Sequence, residues 1–181
     1  MKKSLIILFI LIRASIGYAQ DIQTSKVYVS QNEIWIKNTE TGELKMIGMG
    51  SDPTFSPDGK FVLFLGHKLD KTTNKDFGTI CIMSVDGDNV KEITTTDMGN
   101  AHTPCWSPDG KKVVFAFSDK KGKDDMDIYM IDITGENLMQ LTTNKSADFA
   151  PYWTKDNYIY FTSDRGAKFG NYQIWRFKYI K

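Results

Sequence analysis

The sequence holds few of the residues from which metal sites, disulfide frameworks and phosphate-binding surfaces are made. Only two cysteines and two histidines occur among its 181 residues. Cys81 and Cys105 lie inside apolar runs, so buried free thiols are the expected state, with a bridge as the alternative in an oxidising compartment. Two thiols far apart in sequence do not make a zinc site, which needs more ligands at close spacing. His67 and His102 stand 35 positions apart, too few and too scattered for a metal-dependent lyase. Neither a metal nor any other cofactor is therefore expected. Charge of one sign is also scarce. The balance of 23 Lys and Arg against 22 Asp and Glu gives +1, without the electropositive footprint that phosphate backbones require, so nucleic acid is not an expected partner.

Catalytic motifs are missing as well. The sequence has no Gly-x-Ser-x-Gly elbow and no glycine-rich phosphate loop followed by Lys-Ser or Lys-Thr. From this scan no catalytic residue is assigned and a non-enzymatic protein is expected. Two acidic stretches, 86–89 and 124–127, lack the alternating ligand ladder ending in glutamate that a calcium loop needs, and they read as a turn and a solvated loop.

Long apolar runs occur only at the N-terminus. Lys2 and Lys3 precede the apolar stretch 5–12, Arg13 breaks it, and Gly17-Tyr18-Ala19 offers small residues of the kind a signal peptidase reads. Eight apolar residues fall far short of the about 20 that cross a bilayer. A cleaved signal peptide over residues 1–19 is expected, with a periplasmic or secreted mature chain and no membrane span after cleavage. The three positive charges of Lys2, Lys3 and Arg13 leave with it, taking the formal balance from +1 to −2.

What the sequence does hold is a repeat. Ser-Pro-Asp-Gly-Lys occurs at 56–60 and again at 107–111, and Thr-Lys-Asp-Asn at 154–157 is a third, altered copy. Each copy follows a proline (Pro53, Pro104, Pro151) and an aromatic residue two places later (Phe55, Trp106, Trp153), at separations of 51 and 47 residues. Pro presets φ in a type I turn, Asp suits the next position, and Gly or Asn accepts left-handed φ. A second marker lies out of phase: Gly42, Gly87 and Gly135 each close a tight hairpin between two strand-like runs. The runs 61–65, 113–117 and 158–161 are apolar without alternation, which argues strands covered on both faces. Hydrophobic residues at 41% are enough for a packed core. No mature segment shows capped helical periodicity.

Four strands per repeat of about 45–50 residues is the arithmetic of a propeller blade. The pattern Pro-x-Trp-Ser-Pro-Asp-Gly-Lys at 104–111, Ser163-Asp164-Arg165, and the pairs Ile128-Tyr129 and Ile174-Trp175 resembles the TolB-like repeat family, also described as WD40-like Pro-Asp-Gly repeats. The resemblance runs over roughly residues 26–178. It implies an all-β domain over 20–181: blades of four-stranded antiparallel sheets in an open arc or a small ring. Two full blades (53–94 and 104–142), a first blade without its inner strand and a last without its outer one make about three and a half to four blades.

The resemblance does not choose a function, since the same repeat builds TolB, propellers of prolyl-oligopeptidase-like peptidases and lyase-like enzymes. By TolB analogy it implies a protein-interaction or scaffold module in the cell envelope. A glycan- or peptide-binding propeller working with a lyase- or peptidase-like enzyme is the alternative. The expected partner is an envelope protein or a second propeller chain, a homodimer included. Propeller geometry places loops 48–52, 95–103 and 143–150 on one face with 66–78, 119–125 and 164–171. That face is where binding is expected, and Asp52, His102 and Arg165 stand near its mouth as candidate ligand or partner contacts. Each has a structural reading beside this one: Arg165 pairing with a neighbouring carboxylate, His102 serving its own loop.

Overall fold

The computed structural model describes residues 25–30, 32–119, 126–143, 145–166 and 171–180. Residues 1–19, where a signal peptide is expected, and the acidic pair Asp124 and Asp125 lie outside the described residues. Every regular element among the described residues is a strand: β1 (Ser25–Ser30), β2 (Glu33–Asn38), β3 (Leu44–Met49), β4 (Ser51–Phe55), β5 (Phe61–Asp70), β6 (Lys75–Ser84), β7 (Lys91–Glu92), β8 (Gly99–Trp106), β9 (Lys112–Asp119), β10 (Asp127–Asp132), β11 (Met139–Gln140), β12 (Asp148–Trp153), β13 (Tyr158–Ser163) and β14 (Gln173–Lys178). They form four antiparallel meanders of consecutive strands, β1–β3, β4–β7, β8–β11 and β12–β14. The outer two sheets have three strands each and the inner two have four. These are the full and partial blades of a β-propeller.

The repeated turn explains its own sequence. In the first copy the Gly59 amide donates to the Ser56 carbonyl (2.9 Å). The Ser56 hydroxyl donates to Asp58 Oδ1 (2.6 Å) and accepts from the Phe61 amide (3.0 Å). The second copy repeats this with Gly110, Ser107, Asp109 and Lys112. In the third, Thr154 supplies the hydroxyl, and Asn157 takes the left-handed position at φ 64° where Gly59 and Gly110 have 72° and 68°. A hydroxyl, a carboxylate and a residue tolerant of positive φ are thus the three requirements. The Ser56 hydroxyl and the Lys60 amide hold the Asp58 carboxyl below its ordinary range.

All five prolines of the chain fall in these segments, and Pro53, Pro104 and Pro151 sit inside strands, where a missing N–H would break the ladder. Each is accommodated by a β-bulge, at Ser51/Thr54, His102/Cys105 and Phe149/Tyr152. The residue before each proline has positive φ: 50° at Asp52, 45° at Thr103 and 51° at Ala150. Three unrelated side chains share this strained conformation, so it belongs to the blade, not to any one of them.

The runs 62–65 and 113–117 are buried on both faces, residue by residue, whereas 158–161, expected to be covered likewise, alternates: Ile159 and Phe161 are buried and Tyr158 and Tyr160 half-buried, because no further sheet covers that side among the described residues. Val62 and Phe64 with Cys81 and Met83 pack on Val27, Ile34 and Ile47 of the first sheet. Leu63, Leu65, Ile80 and Ile82 face the third sheet and meet Val113, Phe115, Phe117 and Ile131. Val114, Met130, Ala116 and Ile128 turn to the fourth sheet, meeting Trp153, Ile159 and Phe161. Among the described residues, no core cluster joins the first sheet to the fourth. The outward face of the fourth sheet differs in kind. By register, Tyr160, Thr162, Ile174 and Arg176 occupy the positions that hold Val114, Ala116, Ile128 and Met130 one sheet earlier.

Segment 66–78, read from sequence as a long loop, is mostly strand. β5 and β6 pair through Asp70↔Lys75, and only residues 71–74 turn. The cause is Asp70, whose carboxylate accepts from the Thr72 and Thr73 amides (2.7 and 2.8 Å). Conversely, the expected outer strands at 90–93 and 138–141 shrink to two residues each.

Two substitutions test this packing. Phe115→Ala removes a fully buried ring between two sheets and is expected to cost about 3–5 kcal/mol in urea unfolding. Gly78→Ala would set a Cβ 2.2 Å from the Ala101 carbonyl oxygen, and a loss of about 1–3 kcal/mol is expected from the forced backbone shift.

Candidate functional site

On the loop face, polar side chains gather where the second sheet meets the third. Ser51 begins β4, His67 lies on β5 and Asp76 on β6. Ser51 pairs with Leu65, His67 with Gly78 and Asp76 with Leu69, so alternation directs all three side chains to the face that looks at the third sheet. The Ser51 hydroxyl lies 2.9 Å from His67 Nε2, and His67 Nδ1 lies 3.3 Å from Asp76 Oδ2. His102 arrives from β8 on the third sheet and stands within electrostatic reach of Asp52 and His67.

The structure places His102 within electrostatic reach of Asp52 and brings together Ser51, His67 and Asp76, which the sequence alone does not single out. Only a strand at 67, where the sequence predicts a loop, places His67 diagonally between Ser51 and Asp76. Burial pushes the His102 imidazole below its ordinary value, against the pull of Asp52 and with a further push from His67. It is held neutral, as a half-buried donor and acceptor. Among the described residues, no three His, Cys, Asp or Glu side chains come together as a metal-holding group.

Arg165 is engaged elsewhere. Its guanidinium donates to the Asp148 carboxylate at 2.6 Å and its Nε to the Ser163 hydroxyl at 3.1 Å. The guanidinium also lies 5.1 Å from the Phe161 ring centroid and 5.2 Å from that of Trp175. With Asp148 at 0% side-chain exposure and Arg165 at 28%, this pair ties β12 to the end of β13 within the fourth sheet. Such planar, stacked use, with donors reaching two different partners, is where arginine outperforms lysine.

Cys81 is buried and Cys105 half-buried, both as free thiols, and burial pushes both thiols above their ordinary range. On the opposite, turn-bearing face, a groove of about 350 Å³ is lined by Ser107, Asp109, Lys112, Trp153, Lys155 and Tyr179 among others.

Arg165→Ala would strand the buried Asp148 carboxylate. A loss of about 3 kcal/mol is expected in chemical denaturation, at the low end for such pairs because the arginine is partly solvated. His102 carries a pH signature. Its folded value lies below the ordinary 6.5, so the unfolded chain takes up the proton first as pH falls. The stability contributed by neutral His102 is complete above pH about 6.5 and is lost as pH drops through the lower folded value. The urea midpoint should fall between pH about 7.5 and about 5.5, and His102→Gln should flatten that fall.

A family model for the TolB beta propeller domain matches residues 98–180. The chain is 30% identical over 115 residues to the uncharacterized peptidase YuxL of Bacillus subtilis (strain 168), covering 61% of this chain and 16% of that protein. It is 35% identical over 65 residues to dipeptidyl-peptidase 5 of Porphyromonas gingivalis, covering 36% of this chain and 9% of that one. The chain thus spans a small fraction of the curated relatives it matches. Among solved structures, TolB from Acinetobacter baumannii superposes with a TM-score of 0.65 at 22% identity, over 86% of this chain and 38% of that chain. A puromycin-hydrolyzing peptidase of Mycobacterium tuberculosis gives 0.65 at 16% identity, over 86% and 27%. These likenesses show a shared fold. Residues 98–180 thus match the TolB beta propeller domain, and the three turn segments with their bulges show the same β-propeller repeat recurring from residue 51 onward.

Proposed function

We propose that this chain is an exported β-propeller that works by binding, as a protein-interaction or scaffold module in the cell envelope. The observation that carries this reading is the blade-seam cluster on the loop face. A rigid scaffold presents exposed Asp52, His67 and Asp76 beside half-buried Ser51 and His102 there, on TolB-like repeats. Residues 1–19, with a charged start, an apolar stretch and a small-residue exit, support a periplasmic or secreted location. The partner is an envelope protein or a second copy of the chain, which would lie over the loop face or against the open ends of the arc.

A second reading has its own support. Two peptidases are relatives, and a peptidase structure shares the fold, so a propeller that binds peptides or glycans beside an enzyme is the alternative.

Site-directed photocrosslinking in native cells separates these readings. A crosslinker at position 52 or 102 is expected to capture one discrete protein adduct, whereas one at Lys155 on the turn face is not. Equal adducts from both faces would sink the loop-face assignment. An adduct of twice the chain mass would identify the partner as a second copy. Saturable binding of glycans or peptides, abolished in His102→Ala, would favour the alternative. N-terminal sequencing of the exported form should begin at Gln20.

A further inference from the structure

The geometry points to a use of the seam cluster beyond binding: we propose that Ser51, His67 and Asp76 form a Ser-His-Asp hydrolytic triad acting on small carboxylic esters. Such a triad is identified by geometry and roles, independent of fold or chain order. The three residues stand on three adjacent strands of one sheet, each one diagonal step from the next. The nucleophile-to-base contact is 2.9 Å and the base-to-carboxylate contact is 3.3 Å.

Proton positions follow from the partners. Nδ1 faces a carboxylate that only accepts, so Nδ1 carries the proton and Nε2 is left as the acceptor for the Ser51 hydroxyl. That is the tautomer a general base requires. The local fold also explains why the imidazole can lean this way. The residue directly opposite His67 on β6 is Gly78, which presents no side chain to compete. Glycine is required there because the Ala101 carbonyl of the next sheet occupies the space a Cβ would need. The close approach of two blades and the reach of the imidazole thus have one cause.

Exposure sets the substrate class. His67 is 41% and Asp76 64% exposed in its side chain, so a small molecule can reach the line, while water weakens the pull of Asp76. Esters suit so open a line, because an alkoxide leaves more readily than an amine. Ser51 Oγ attacks the ester carbonyl carbon as its proton passes to His67 Nε2. The carbon–oxygen bond to the alcohol then breaks, and the departing alkoxide takes that proton, leaving acyl-Ser51. Water attacks the acyl carbon, gives a proton to Nε2, and releases the acid as the proton returns to Ser51. Ester and water become acid and alcohol, with no other reactant.

The test uses the purified protein with p-nitrophenyl acetate and, separately, a fluorophosphonate probe. Wild type is expected to hydrolyse the ester at least tenfold faster than Ser51→Ala, with His67→Gln equally impaired and Asp76→Asn partly so. The probe should form an adduct at Ser51, located by peptide mass spectrometry, with fluoride leaving. Ser118→Ala, altered at the position of the third sheet that corresponds to His67, should keep the wild-type rate. Circular dichroism checks that the variants fold. An exposed imidazole can itself attack an activated ester, so the serine variant is decisive. Ser51→Ala at the wild-type rate, or a probe adduct that avoids Ser51 in the wild type, overturns the proposal. Neither result bears on photocrosslinking from the loop face, so the binding role stands or falls separately.

Discussion

The molecule depends on one constraint: the middle strands of each inner blade must be covered on both faces. A strand with Val62, Leu63, Phe64 and Leu65 in succession has no solvent side, so a sheet on either side is obligatory. In the second and third sheets that requirement is met by alternate residues packing in opposite directions. The two outer sheets meet it on one face only. The fourth answers with chemistry, replacing the aliphatic set by Tyr160, Thr162 and Arg176, whose guanidinium donates to the Tyr160 hydroxyl at 2.9 Å and lies 4.7 Å from the Tyr158 ring centroid. Ile174, 77% exposed, is the aliphatic member of that row that remains.

Two local devices make the stacking repeatable. The Ser/Thr-x-Asp-Gly/Asn turn fixes the start of each second strand through its own hydroxyl and carboxylate. The bulge before it lets a proline sit within the inner strand and re-aims the residue that precedes it. Asp52 was singled out as a site residue, and its positive φ taken alone would look like functional strain. Thr103 and Ala150 adopt the same conformation, so the strain is architectural, and Asp52 contributes to the site only through its charge beside His102.

Much of this was legible in the sequence, because the turn signals are local and recur. The strand runs, the tight hairpins at Gly42, Gly87 and Gly135, and the shortened first and last blades all follow from residues a few positions apart. The seam cluster was not legible for the opposite reason. Ser51, His67 and Asp76 are separated by 16 and 9 positions, with no spacing rule linking them, and they meet only because β5 and β6 run on past the apolar core. The Asp70 carboxylate, bonding the amides of its own turn, extends that hairpin beyond what apolar patterning indicated.

The sequence by itself determined the blade: its strand count, its turns, its two-sided core and its likeness to TolB-like repeats. These are properties of short segments whose conformational preferences act before any long-range contact forms. Tertiary structure decided which side chains meet. It set Arg165 against Asp148 inside the fourth sheet and placed His102 of one blade within electrostatic reach of Asp52 and His67 of another. It also aligned a serine, a histidine and an aspartate on one face. The physical reason is register: which residue lies opposite which is fixed by bulges and by the approach of neighbouring sheets, and neither is written in the spacing of the residues themselves.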